Sequence, residues 1–90
     1  MKNFFSEFNG VTLTFSDIEV QDNVLEYIDV LLTRPHGNHL DYIFTRIPGF
    51  EVLESKGFTQ KEIDYWILYT MKDSALIWDV AREIKGEWLA

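Results

Sequence analysis

Two sets of side chains have the types and spacing to do chemistry. The first is a row of carboxylates at Glu19, Asp22, Glu26 and Asp29; the second is the run His36-x-x-His39-x-Asp41. The row lies in residues 16–33, which hold five acids and neither Lys nor Arg. On a helix these four acids fall within roughly 80° of one another and form a line about 15 Å long. Like charges three and four residues apart cost ~0.2–0.5 kcal/mol per pair, so the line costs on the order of 1 kcal/mol. A cost that small suits an ordinary solvated face. Its alternative use is docking on a basic groove, where aligned carboxylates imitate nucleic-acid phosphates and speed encounter.

The His36, His39 and Asp41 run offers three donors of the metal-binding kind. No further ligand follows at a supporting spacing, so solvated loop histidines are the expectation and no metal is predicted. Nothing points to covalent catalysis. Ser6, Ser16, Ser55 and Ser74 lack a nucleophile-elbow context, and no glycine-rich phosphate loop or cofactor motif exists. An enzyme is not expected. Tyr65, Tyr69 and Trp78 fall off the apolar stripes of the helices predicted around them. They are candidate anchors for a partner or a homodimer seam, since Tyr and Trp lead at interfaces.

These groups need elements to hold them. Asn9-Gly10 is the strongest hairpin signal, because a type I′ turn needs positive φ at both centres. It predicts strands near 3–8 and 11–15, with Phe4, Phe8, Val11, Leu13 and Phe15 sharing a face. Ser16-x-x-Glu19 has the form of a capping box, and Val20, Val24, Leu25, Ile28, Leu31 and Leu32 make an apolar stripe, so 16–33 reads as a helix. Short helices are expected around Leu40–Ile47 and over 50–56. Thr59-x-x-Glu62 is a second capping box, opening a helix that restarts near Asp73-Ser74 and ends near Gly86.

The segment Val52–Trp66, with Gly57 in its turn, imitates a helix-turn-helix; a transcriptional regulator using residues 50–70 is the runner-up function. Leu53 at the helix contact and Glu62 and Asp64 on the reading helix weigh against it. Lys56-Gly57-Phe58 is also loosely similar to the Met-Gly-Phe loop of ubiquitin-associated domains. That likeness implies a ubiquitin-binding loop, with Lys56 in place of the Met.

Ninety residues suit one domain, 1–90, and 47% apolar residues including fourteen aromatics can fill a core. The net charge of −7 disfavours direct binding to nucleic acid or an anionic membrane. No Cys is present, and no segment has the apolar length of a signal or a membrane span, which reads as cytoplasmic.

The expected fold is α+β, a β-hairpin on about four α-helices, with an all-α bundle as the alternative. The expected function is a small acidic, non-enzymatic protein-binding or inhibitor module, with Glu19, Asp22, Glu26 and Asp29 on a basic partner. Its sharper form is a phage or mobile-element inhibitor that mimics nucleic acid against a host nuclease, an analogy from size and charge alone.

Overall fold

The computed structural model describes residues 1–86. Six antiparallel strands precede one helix: β1 Asn3–Phe8, β2 Val11–Phe15, β3 Glu19–Gln21, β4 Leu25–His36, β5 His39–Ile47, β6 Glu51–Lys56 and α1 Gln60–Lys85. The strands lie in the order β1-β2-β4-β5-β6, with β3 paired to β4 beside this path. The helix covers one face of the sheet. Its 26 residues span about 39 Å, and the 12 residues of β4 span about 40 Å, so the two long elements match.

The first hairpin forms where the Asn9-Gly10 signal places it. Asn9 and Gly10 adopt φ of 52° and 78°, and Phe8 pairs with Val11 and Ser6 with Leu13. A register shift between Phe4 and Ser6 then changes the faces. Asn3, not Phe4, lies opposite Phe15. Phe5 turns to the core, its ring edge-on to Phe15 at 6.3 Å, and Phe4 is left exposed on the open face.

The four expected helices reduce to one. The segment 16–33 is not a helix but β3, a turn and most of β4. Asp22 and Asn23 both have positive φ, 55° and 59°, and the Val24 amide donates to the Gln21 carbonyl, closing a tight turn where the helix was expected. Ser16 caps nothing helical; its hydroxyl accepts from the Asp29 amide at 2.9 Å. The apolar positions of this segment fit both periods. Ile28, Val30 and Leu32 alternate as a strand's inner face, and the β-branched Ile18, Val20, Val24, Ile28 and Val30 tip the balance.

Residues 39–47 and 51–56 are likewise strands. Ile43, Thr45 and Ile47 point into the core from β5, and Pro48-Gly49 ends a strand rather than a helix. The helix-turn-helix over 50–70 therefore lacks its first helix, and Lys56-Gly57-Phe58 is a strand-to-helix turn. The predicted break near Asp73-Ser74 is absent, and α1 runs through it. Its start is as expected: the Thr59 hydroxyl accepts from the Glu62 amide, and Glu62 accepts from the Thr59 amide.

The core sits between sheet and helix. Val11, Leu13 and Phe15, then Ile28, Val30 and Leu32, then Ile43 and Ile47 meet Ile63, Trp66, Ile77 and Ala81. Full burial of each large side chain stabilises by about 1.5–3 kcal/mol. Buried Thr45 and Thr70 donate to the carbonyls of Glu51 and Trp66, so neither hydroxyl is stranded. Phe8, Val24 and Leu53, which the expected apolar faces and helix contact placed inside, are exposed, and so are Leu76 and Ile84 on α1. Among the described residues no helix is long and apolar enough to cross a membrane.

Candidate functional site

Unrolling the segment 16–33 into strands dissolves the carboxylate line. Glu26 and Asp29 are an odd number of residues apart on β4, so they point to opposite faces. Glu26 receives Arg82 at 2.7 Å, and this guanidinium holds its carboxyl below the usual range. Asp29 receives Arg46 at 2.7 Å, and the same guanidinium covers the Tyr27 ring at 4.0 Å. Glu19 and Asp22 are exposed at the β3 end. Asp17, outside the four, is bound by Lys2 at 2.7 Å. The uncompensated row that motivated an acidic docking helix is not in the folded chain.

The aromatic candidates divide. Tyr69 is half-buried, stacked on Phe8 at 6.0 Å with its hydroxyl 3.2 Å from Ser6. Trp78 is half-buried beneath the Arg82 guanidinium. Tyr65 is exposed, with its ring against Trp66. Tyr69 and Trp78 thus serve first to hold the helix, and Tyr65 alone of the three is largely presented to solvent.

Two places collect groups that the linear sequence keeps apart. One is the end of the sheet under the first turn of α1. Arg34 on β4 donates twice to Asp41 Oδ2, at 2.8 and 3.2 Å, and once to Glu62 at 2.8 Å. It also donates to the Gly57 carbonyl and lies 4.1 Å over the Phe58 ring. Asp41 is buried, yet Arg34 holds its carboxyl below the usual range despite that burial, helped by His36. Glu62 is held low first by the Thr59 amide and then by Arg34. Gly57, at φ 86°, passes so close that a Cβ there would overlap the Asp41 carboxylate. One guanidinium thus ties the β4–β5 hairpin to the β6–α1 turn and the helix start. No local pattern along the chain announces this cluster, because Arg34 and Glu62 are 28 residues apart.

The other place is a groove of about 390 Å³ between β6 and α1. Phe50 and Val52 form one wall, and Ile63, Ile67, Leu68 and Met71 the other. Gln60 and Asp64 stand at its rim. Among the described residues, strand β6 has β5 on one side and no strand on the other, and five of its six residues are exposed. An apolar trough therefore lies beside a row of backbone groups with no ladder partner. Among the described residues its lining is apolar except for Gln60 and one titratable group, Asp64. Sequence reading missed it because Phe50, Val52 and Leu53 were assigned to a helix.

Comparison with protein-family models, with curated proteins and with solved structures finds no match.

Proposed function

We propose that the chain is a non-enzymatic protein-binding module that takes an extended, basic segment of a partner along β6. The observation that carries this reading is the apolar groove running beside the unpaired edge of that strand. Strand addition uses the two features together: main-chain hydrogen bonds at the edge supply affinity, and alternate side chains seated in pockets supply specificity. The charge supports a basic occupant. Asp64 stands at the groove rim, Glu51 and Glu54 project from β6 on the open face of the sheet, and the whole chain carries −7. Such acidic residues favour encounter with Lys- and Arg-bearing segments more than they add to final affinity. The absence of cysteine is compatible with a reducing compartment such as the cytoplasm.

Selection from a library of random peptides displayed on phage tests the reading. Peptides with apolar residues at every second position and flanking Lys or Arg are expected to be enriched on the wild-type chain. They are expected to be lost on Leu68→Glu and Met71→Glu, and to weaken as salt rises. Failure to enrich any such pattern, or equal binding to both variants, contradicts it.

A further inference from the structure

The β4–β5 hairpin turns at Gly37-Asn38, with φ 61° at Gly37, and its last pair is His36 opposite His39. Directly paired residues share a face, and the two imidazoles lie 5.0 Å apart between ring centres. Asp41 is two residues beyond His39 on the same strand, so it points to the same side. Strand pairing therefore converts a sparse sequence pattern into one cluster. One potential ligand atom from each of His36, His39 and Asp41 lies within 4.8 Å of the others.

The spacing is informative. His36 Nδ1 is 3.2 Å from both Asp41 oxygens. Charge-assisted hydrogen bonds are shorter, about 2.7–2.9 Å. Two ligands on one tetrahedral zinc ion, each about 2.0–2.1 Å from the metal, stand about 3.3–3.4 Å apart. The His36–Asp41 distance thus matches two ligands of one ion better than a tight ion pair. His39 needs to move inward by about 1.4 Å to complete the triangle to that spacing. It is exposed at a hairpin tip, where rotation of its side chain meets little resistance.

The surroundings suit a cation. Arg34 takes Oδ2 of Asp41 and fixes the carboxylate plane, while Oδ1 faces His36 Nδ1 at 3.2 Å with the Gly57 backbone packed against it. Glu62 pairs with the same guanidinium at 2.8 Å, so Arg34, Asp41 and Glu62 together carry −1 rather than a surplus positive charge. The backbone at Gly57 closes the far side.

We propose that His36, His39 and Asp41 bind one divalent ion of the zinc class, with the remaining position open to solvent. Two imidazoles and a carboxylate suit Zn²⁺, Ni²⁺ or Cu²⁺ better than Ca²⁺ or Mg²⁺, which prefer all-oxygen shells. This site is independent of the β6 groove.

The test is calorimetric titration of tag-free full chain with zinc chloride, with cobalt chloride as a spectroscopic stand-in. One equivalent of Zn²⁺ is expected to saturate the protein, and Mg²⁺ is expected not to compete. His36→Ala and His39→Ala, both at exposed positions, are each expected to weaken binding at least tenfold while leaving the circular dichroism unchanged. Paramagnetic broadening by Co²⁺ is expected at the amides of His36, His39 and Asp41 and to fade with distance from them. This reports the role of Asp41 without a substitution that could unfold the chain. No saturable binding to the wild-type chain, unchanged affinity in the double His variant, or broadening centred elsewhere overturns the proposal.

Discussion

The two flanks of α1 meet the sheet in opposite ways. On the β1 side the seam is closed by rings: Tyr69 stacks on Phe8, and Trp66 stands edge-on to both, at 5.0 and 6.4 Å. On the β6 side the seam is left open as a groove walled by Phe50, Val52, Leu68 and Met71. Both flanks border a terminal strand of the same sheet. The aromatic flank therefore shows what completing the seam looks like, and the β6 flank leaves that space open. Rigid rings with defined edge contacts specify one packing, whereas Leu and Met side chains adapt to an occupant.

Substitutions on the two flanks should separate stability from binding. The largest effect is expected from Trp66→Ala, which empties a buried site on the closed side. It should lower unfolding free energy by about 3–5 kcal/mol in urea denaturation. Tyr69→Leu keeps apolar bulk but removes the stack on Phe8. A loss of about 0.5–1.5 kcal/mol is expected, measured the same way.

Acidification should loosen the helix at both ends without favouring either flank. Glu62 at its start and Glu26 near its end both have carboxyls held below their ordinary range, by the Thr59 amide and by Arg82 respectively. Folded values below unfolded ones mean that the contribution is complete above about pH 5 and is lost as pH falls below about 4. Urea midpoints should be flat between pH 7 and 5 and decline below that.

The smallest stability effect is expected on the open side. Leu68→Glu and Met71→Glu, at positions already half exposed, should change stability by no more than about 0.5 kcal/mol while removing peptide binding. A large loss of stability there would mean that the groove wall belongs to the core, and the contrast between flanks would fail.

What the sequence revealed follows from how local each signal is. Asn9-Gly10 and Thr59-x-x-Glu62 act within four residues, and both formed as read. Segments 16–33 and 39–47 carry apolar residues at spacings that serve two periods, and only pairing with neighbouring strands selects one. Asp22-Asn23 was the overlooked clue, since both tolerate the left-handed region that a tight turn requires. The carboxylate line was an artefact of the wrong period: once Glu26 and Asp29 alternate across a sheet, each meets an arginine. His36, His39 and Asp41 went the other way. Their spacing is unremarkable along the chain and becomes a cluster only when the hairpin register sets His36 opposite His39.

The most direct test of the docking account is hydrogen exchange of the Glu51–Lys56 amides, free and with a selected basic peptide bound. Strand addition predicts slower exchange at alternate β6 amides on binding, with the β1 edge unchanged. Protection confined to the open face of the sheet or to the β3 end, with β6 exchanging as before, would contradict it.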